Sequence, residues 1–413
     1  MKKVELVAPA GDLEKLRFAL HYGADAVYLG GEKFSLRQRA GNFTIDELRQ
    51  ARDITRERGA KLYVAVNVFA RNNDIQEMPA YLKWLDELKV DGLIISDPGI
   101  FMCAREYAAC LPITISTQAN NCNWKTVQFW QNLGAGKICL GRELTLAEIK
   151  EIREKTTMEL EVFVHGSMCV AYSGRCLLSS YFVQRDANQG DCAQACRWKY
   201  HLVEEIQPRD PLVIEEDSMG TYLLSSKDLC MIEHIPELIG AGVNSFKIEG
   251  RMRSLYYVSL VTRTYREAIE AYYKSPHSYQ FEQSWLKELL KVSQRGYTKG
   301  FYFDSHPQNT QCYHEPEYLS SDQVVGVVKE AIGENKANIK VCNQIRREDS
   351  IEIFRKKSPV NKPLVGESSV NKTHIVKLWN SANEPVDILH PGVIGTIEVD
   401  GPLYPFDLIR KKG

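Results

Sequence analysis

Residues 4–31 read VELVAPAGDLEKLRFALHYGADAVYLGG and contain the pattern that repeats along the chain. An apolar run at Val4–Ala8 precedes a helical pattern at Leu13–Tyr22, and a second apolar run follows at Ala24–Leu29. Each run is apolar at nearly every position, which is typical of strands buried on both faces of a parallel sheet. Gly23 stands where helices often end in a left-handed residue. The stretch therefore predicts one β–α–β unit.

The same unit recurs through the first two-thirds of the chain. Six further apolar runs are predicted as strands: Leu62–Asn67, Gly92–Ser96, Ile113–Thr117, Lys137–Leu140, Leu160–His165 and Val243–Ile248. The helical patterns between strands include Ile45–Arg58, Met78–Leu88, Trp124–Leu133 and Leu146–Lys155. Eight strand–helix units without a hairpin signal favour an α/β fold, a closed TIM-like (β/α)8 barrel, over an open doubly wound sheet.

One insertion interrupts this alternation. Residues 166–224 separate the seventh strand from the next helix, which is predicted to begin near 225–228 with Cys230 at its start. Loops longer than about 15 residues in compact domains are usually functional. Beyond the (β/α)8 barrel the sequence pattern changes to short, regularly spaced predicted strands, which suggest a small all-β barrel. We predict a barrel domain at 1–275, a helical segment and linker at 276–320, and a β-barrel domain at 321–413.

Composition and charge narrow the function classes. The 413 residues include 52 Lys and Arg and 53 Asp and Glu, so the net charge gives no whole-chain case for nucleic acid, although a local patch suffices for a tRNA enzyme. No apolar run reaches the roughly 18 residues of a membrane span, and the N-terminus lacks a signal-peptide core. A cytoplasmic protein is expected. Eleven cysteines are too few for a disulfide scaffold, and their clustering indicates metal or catalysis.

Polar residues follow nearly every predicted strand, where the active site of a (β/α)8 barrel lies. The candidates are Arg37, Arg39, Asn67, Asp97, Gln118, Arg142, Glu143, His165, Lys247, Glu249 and Arg251. The guanidinium fork of arginine matches a carboxylate or a phosphate. Alternatively, the arginines only pair with Glu143 and Glu249, and individual residues of this set only cap helices.

The clustered cysteines indicate a metal site. They are Cys169, Cys176, Cys192, Cys196 and Cys230. Structural zinc sites pair ligands at Cys-x2–4-Cys spacing, which only Cys192 and Cys196 match. The wider spacing of the others modestly favours a 4Fe–4S cluster over zinc. Burial by chance is the remaining alternative.

Residues 161–169, EVFVHGSMC, and 174–179, GRCLLS, resemble the signature of the collagenase-like peptidases, peptidase family U-32. That signature reads E-x-F-x2-G-[SA]-x-C, followed by G-x-C-x-x-S. The runs VAPAG at 7–11, YLGG at 28–31 and FKIEGR at 246–251 are also similar to the family. The resemblance extends over essentially the whole chain, including the small C-terminal β domain.

The resemblance implies an activity and a ligand set. The branch that this chain most resembles makes 5-hydroxyuridine at the wobble position of tRNA, with an iron–sulfur cluster and with prephenate as the hydroxyl source. Sister branches hydroxylate a ribosomal RNA cytidine or a ubiquinone precursor without molecular oxygen. Carried onto this chain, the four cluster cysteines are Cys169, Cys176, Cys192 and Cys230, with Cys196 as the rival for third place. The implied partners are tRNA, prephenate and, as one option, a paralogous member of the family.

On this hypothesis the cluster lies over the barrel opening. The catalytic candidates are Arg142, Glu143, His165, Lys247, Glu249 and Arg251, and those for cosubstrate binding are Arg37, Arg39, Asn67 and Gln118. Phe34, Tyr172 and Trp198 would stack on an extruded base, and the basic tail 409–412 would bind RNA backbone. The alternatives are direct proteolysis, for which the sequence offers no catalytic triad or His-Glu-x-x-His motif, and a non-catalytic protein with a structural metal staple.

Overall fold

A computed structural model of the chain describes residues 3–35, 42–168, 178–185, 227–293, 296–304, 322–356 and 370–412, together with a few positions between 193 and 221. The chain divides into two compact units, Met1–Tyr318 and Leu319–Gly413. None of the described helices combines the length and the apolar character that crossing a membrane requires.

The first unit is built on a parallel barrel. Its first seven strands are β1 (Glu5–Pro9), β2 (Ala26–Gly30), β3 (Lys61–Val66), β4 (Gly92–Ile95), β5 (Ile113–Ile115), β6 (Lys137–Cys139) and β7 (Glu159–Gly166). They lie side by side in chain order, and an eighth strand at Ser245–Ile248 pairs with both β1 and β7. This double pairing closes the sheet. The predicted (β/α)8 barrel is confirmed, with strands where the apolar runs predict them.

Helices surround the barrel. They are α1 (Leu13–His21), α2 (Ile45–Glu57), α3 (Asn72–Leu88), α4 (Pro98–Tyr107), α5 (Trp124–Asn132) and α6 (Leu146–Glu154). The side chain of Asp97 accepts a hydrogen bond at the start of α4, so this candidate caps a helix. Helix α3 begins at Asn72, earlier than the predicted start at Met78. Proline is usually found in the first turn of a helix, which favoured a start next to Pro79, but here the helix continues through it.

The segment after β7 differs from the prediction. Its described elements are α7 (Leu178–Val183), β8 (His201–Leu202), β9 (Leu212–Val213), β10 (Glu216–Asp217), β11 (Gly220–Thr221) and β12 (Asp228–Cys230). Strand β12 runs antiparallel to the end of β7, with Leu229 opposite Gly166 and Cys230 opposite His165. The prediction that Cys230 begins a helix is wrong, because the free edge at the end of β7 takes these residues as a strand. The next α-helix, α8 (Ile235–Gly240), follows a short 3-10 turn.

The remaining elements of the first unit follow in chain order. They are the eighth barrel strand β13 (Ser245–Ile248), α9 (Leu255–Lys274), α10 (Gln283–Leu290) and β14 (Tyr297–Thr298). Ser254 caps α9, whose buried face carries Tyr257 and Tyr265. The long helix matches the predicted one, and it places these two tyrosines behind β7.

The second unit is a small antiparallel β-barrel, as predicted. Its strands are β15 (Asp322–Ala331), β16 (Lys336–Val341), β17 (Ile345–Arg346), β18 (Ser350–Phe354), β19 (Val370–Trp379), β20 (Pro385–Val386), β21 (Ile388–Leu389), β22 (Ile394–Val399) and β23 (Leu408–Lys412). The main sheet runs β18-β23-β15-β16-β22-β19-β20, and β18 also pairs with β19. Isoleucine, leucine and valine side chains fill its core.

The basic C-terminal tail is part of this barrel. The Arg410 side chain is fully buried and its Nε lies 2.9 Å from Oε2 of Glu352. Lys411 Nζ lies 2.8 Å from Oδ2 of Asp349. The expectation that the tail binds RNA backbone is therefore wrong for Arg410, whose buried guanidinium is paired with Glu352, and stays a prediction for Lys411.

Candidate active site at the barrel mouth

The barrel mouth is the end of the barrel where the parallel strands reach their carboxyl ends. Two amide side chains meet on one side of it. Asn67 directly follows β3 and donates from Nδ2 to Oε1 of Gln118 at 3.3 Å. Gln118 also accepts a hydrogen bond from Ser116, and Ser96 donates to the Asn67 carbonyl at 3.0 Å. The structure thus brings together two residues that sequence analysis assigned to cosubstrate binding.

Arg142 follows β6 and contacts the neighbouring strand β7 and the residues after it. Its guanidinium carbon lies 4.0 Å from the centroid of the Phe163 ring, and Nη1 donates to the Ser167 carbonyl at 2.9 Å. Ser167 is two residues before Cys169 in the chain. Arg142 therefore stacks on an aromatic ring and holds the start of the cysteine-rich insertion, a geometry for which a planar guanidinium is well suited.

Glu143 points to a neighbouring thiol. Its Oε2 lies 4.0 Å from Sγ of Cys122. Burial, together with the charge of Glu143, raises the pKa of Cys122 to about 11. The thiol is therefore protonated at neutral pH and is a poor nucleophile.

Lys247 extends from β13 into the barrel interior just below the mouth. Its Nζ donates to Oε1 of Glu161 at 2.9 Å and lies 4.7 Å from the centroid of the Tyr28 ring. Burial opposes the charged form and is the largest single influence, but the charge and hydrogen bond of Glu161, together with Cys139 and Glu249, outweigh it and raise the pKa of Lys247. The mouth therefore has a buried ammonium group in its floor, next to the Phe163 ring that also carries Arg142.

Glu249 and Arg251 follow the same strand. The Tyr28 hydroxyl is 2.9 Å from Oε2 of Glu249. Arg251 donates to Oγ of Ser35 at 2.9 Å and to Oδ1 of Asn42 at 2.7 Å. Arg251 is buried. Because Ser35 and Asn42 lie on the two sides of the loop after β2, these hydrogen bonds connect that loop to the end of the eighth strand. The candidates on that loop, Arg37 and Arg39, lie outside the described residues.

His165 does not face the mouth. A β-bulge shifts the register between β7 and β13, so Lys247 pairs with Phe163 and Ile248 pairs with His165. The extra residue interrupts the inward–outward alternation, and the His165 ring packs against Tyr257 and Tyr265 of α9. Burial, with the charge of Arg253 as a smaller cause, lowers the pKa of His165 to about 3. The imidazole is neutral and buried, and its ring contacts are with tyrosines and not with the side chains of the other described catalytic candidates.

Three charged residues inside the barrel, Glu5, Lys137 and Glu161, were not among the candidates predicted from the sequence, whereas their neighbour Lys247 was. Glu5 on β1 accepts from Lys137 Nζ at 2.5 Å and from the Tyr63 hydroxyl at 2.9 Å. Glu161 and Lys247 form a second buried pair closer to the mouth. The sequence did contain a signal for these residues, because each is a charged residue within an otherwise apolar predicted strand. Such residues are rarely buried unless they are paired, so each predicts a partner inside the barrel.

Cys230 is the one proposed cluster ligand among the described residues; Cys169, Cys176, Cys192 and the rival Cys196 lie outside them. Its backbone is paired with His165, four residues before Cys169, so the two cysteines are carried by adjoining parts of the chain. Burial raises the pKa of the Cys230 thiol to about 12. The thiol is therefore protonated at neutral pH and is a poor free nucleophile. Within the described part of the chain, no three His, Cys, Asp or Glu side chains are placed to hold a metal ion.

Comparisons with known proteins identify the family. The family model described as "Peptidase family U32" matches residues 11–312. The chain is 37% identical to "tRNA hydroxylation protein P1" of Bacillus subtilis, over 99% of this chain and 95% of that protein. It is 39% identical to "tRNA hydroxylation protein P" of Escherichia coli, over 87% of this chain and 88% of that protein. It is also 34% identical to a "Collagenase" of Porphyromonas gingivalis, over 72% of this chain and 73% of that protein. These matches show that the chain belongs to peptidase family U32.

Proposed function

We propose that this protein takes part in tRNA hydroxylation, as the enzyme that converts wobble uridine to 5-hydroxyuridine in the cytoplasm. The observation that carries the proposal is the similarity to the Bacillus subtilis tRNA hydroxylation protein P1, which extends over 99% of this chain. The second similarity, to tRNA hydroxylation protein P of Escherichia coli, supports the same substrate class.

The proposed cofactor is a 4Fe–4S cluster held by Cys169, Cys176, Cys192 and Cys230. Such a cluster supplies one-electron chemistry when it is bound. The pairing of Cys230 with His165, four residues before Cys169 in the chain, supports this ligand set. Tyr265 lies behind this ligand, with its hydroxyl 3.9 Å from the sulfur.

The proposed cosubstrate is prephenate, a dicarboxylate. The mouth offers cations of two kinds, the guanidinium of Arg142 on the Phe163 ring and the buried ammonium of Lys247. Guanidinium groups bind carboxylates through paired hydrogen bonds, and an ammonium group adds a point charge. A target uridine must leave its stack to enter such a site. The amides of Asn67 and Gln118 have donors and acceptors suited to the edge of a base.

The test is nucleoside mass spectrometry of total tRNA from a strain that lacks the gene. The strain is complemented with the wild type, with Cys169→Ala, with Cys230→Ser, or with Cys110→Ser as the control. Cys110 is an exposed cysteine outside the proposed ligand set. We expect 5-hydroxyuridine derivatives to return with the wild type and Cys110→Ser only. An unchanged tRNA pool in the deletion strain, with no paralogue covering the loss, would overturn the proposal.

A second experiment addresses what the reaction requires. Purified protein is incubated with unmodified tRNA, with and without prephenate. Product formation that depends on prephenate supports the cosubstrate. If the gene restores modification in cells and the purified protein is inactive, a paralogous partner of the same family is the next component to add.

Peptidase activity is the second candidate, favoured by the similarity to a protein named collagenase. Cys230 and His165 are paired across two strands, but the thiol is protonated and the imidazole is neutral and buried. This pair lacks the activated thiolate of a cysteine protease. Cleavage of denatured collagen by the purified protein, lost in Cys230→Ser, would favour this candidate over hydroxylation.

A further inference from the structure

A column of two ion pairs, bridged by a serine hydroxyl between their carboxylates, runs through the barrel interior toward the mouth. At its lower end Lys137 Nζ lies 2.5 Å from Oε2 of Glu5. The Ser245 hydroxyl is 3.4 Å from the same Glu5 oxygen and 3.0 Å from Oε2 of Glu161. The other Glu161 oxygen accepts from Lys247 Nζ at 2.9 Å. In most (β/α)8 barrels branched apolar side chains fill this space.

The upper pair of the column is almost completely removed from solvent. The side chains of Lys247 and Glu161 are 4% and 2% exposed. Desolvating two charges commonly costs as much as their attraction returns, so a buried pair is weak evidence for stability. Its more specific effect is geometric, because it holds one ammonium group at a set place beneath the mouth and keeps it charged.

The Lys247 ammonium has donors to spare. An ammonium group carries three N–H bonds, and one of them is directed at Glu161. Among the described residues no other hydrogen-bond acceptor for Lys247 is present. The aromatic rings of Tyr28 and Phe163 lie 4.7 Å and 5.6 Å from Nζ. Donors bordered by aromatic faces are available to an anion that enters from the mouth.

We propose that Glu161 is a positioning residue, which directs the Lys247 ammonium toward an oxyanion of the substrate. Ser245 holds the second carboxylate oxygen of Glu161 and thereby fixes the direction of the first. The positioning role rests on the proposed function, which supplies the anion that Lys247 would bind. That anion is either a carboxylate of a small organic acid or a phosphate group of RNA.

The role depends on the charge of Glu161. A buried lysine without a counter-ion tends to lose its proton, because burial disfavours the ammonium form. Glu161→Gln keeps the size and shape of the side chain and removes the charge. Glu161→Asp keeps the charge and retracts it by one methylene. Ser245→Ala keeps both charges of the upper pair and removes only the bridge between the carboxylates.

The first measurement requires no knowledge of the reaction. The rate at which acetic anhydride acetylates Lys247 is followed by mass spectrometry as a function of pH, in the full-length protein. Only the neutral amine reacts. We expect Glu161→Gln to move the onset of labelling down by at least about one pH unit, Ser245→Ala to move it less, and the exposed-site control Glu154→Gln to leave it unchanged.

The second measurement is calorimetric binding of prephenate and, separately, of inorganic phosphate. We expect Glu161→Gln to weaken binding of one of these anions by about 10- to 100-fold, and Glu161→Asp to recover part of it. Loss confined to prephenate identifies a small carboxylate, and loss confined to phosphate identifies RNA. Circular dichroism confirms that each variant is folded, and Glu161→Asp serves as the test if Glu161→Gln is not.

Two outcomes separate this inference from the proposed function. If the wild type binds no prephenate and the labelling shift is still observed, the cosubstrate is rejected and the positioning role is supported. If folded Glu161→Gln labels like the wild type and binds both anions with unchanged affinity, the positioning role is rejected, whatever the tRNA analysis shows.

Discussion

Replacing Glu5 by glutamine is expected to destabilise the (β/α)8 barrel in a pH-dependent way. Glu5 lies at the lower end of the barrel, where Lys137 and Lys61 donate to its two carboxylate oxygens. Burial alone raises the pKa of Glu5, but the charges and hydrogen bonds of the two lysines outweigh it and hold the pKa at about 2, compared with the usual 4.5. The ionised carboxylate is therefore more favourable in the folded barrel than in the unfolded chain.

The magnitude follows from this difference in pKa. At about 1.4 kcal/mol for each pKa unit, ionised Glu5 contributes about 3 kcal/mol to the free energy of unfolding at pH 7. Because the folded-state pKa is depressed, the contribution is complete above the unfolded value of 4.5 and is lost as the pH falls toward 2. About half of it, near 1.5 kcal/mol, remains at pH 3. Glu5→Gln also leaves Lys137 buried without its carboxylate, which adds to the loss.

The assay is urea denaturation of the full-length wild type, Glu5→Gln and the exposed control Glu57→Gln between pH 3 and pH 7. Five of the six tryptophans precede Tyr318, so fluorescence reports chiefly on the first unit. We expect the difference between wild type and Glu5→Gln to shrink as the pH is lowered, and Glu57→Gln to follow the wild type. A difference below about 1 kcal/mol at pH 7, or one that is independent of pH, would refute the reasoning.

Four further perturbations have defined outcomes. Arg142→Ala and Arg251→Ala are each expected to lower 5-hydroxyuridine in tRNA at least about tenfold by mass spectrometry, and the carboxylate-binding role of these arginines is dropped if both retain modification. In Gly30→Ala the new methyl carbon would lie 2.6 Å from Nη2 of Arg251, so we expect a loss of about 1–3 kcal/mol in urea unfolding together with reduced modification. Thr145→Ala removes the capping box of α6 and is expected to cost about 1 kcal/mol in the same assay, without affecting modification. Arg410→Met leaves buried carboxylates uncompensated, and calorimetry should show the second unit destabilised by about 3–5 kcal/mol; an unchanged melting temperature would contradict this.

Local pattern predicted most of the scaffold. Strands buried on both faces are continuous apolar runs, and helices end at glycines such as Gly23 and Gly134, whose φ values are 107° and 93°. Both signals depend on neighbours in the sequence, so they can be read without the fold. The positions of Asn67 and Gln118 at the mouth follow from the order of strands and loops, because Asn67 comes directly after β3 and Gln118 lies in the short 3-10 turn that follows β5.

The direction in which single side chains point was less predictable. His165 lies near the carboxyl end of β7, where an inward side chain is expected at the mouth, yet a bulge against β13 turns it outward to α9. Cys230 follows a stretch that resembles the start of a helix, yet the free edge at the end of β7 draws it into a strand. In both cases the competing interaction comes from a residue distant in sequence.

Sequence alone determined the number and order of the strand–helix units, the small second β-barrel and the residues at the carboxyl ends of the strands. Only the tertiary structure decided which charges meet. Glu5 and Lys137 are 132 residues apart, and Glu161 and Lys247 are 86 apart. Barrel closure brings them within hydrogen-bonding distance in the buried interior, where each charge requires the other. The apolar pattern within one strand does not indicate which residue will be the oppositely charged partner, because pairing across the barrel depends on strand register and on barrel closure.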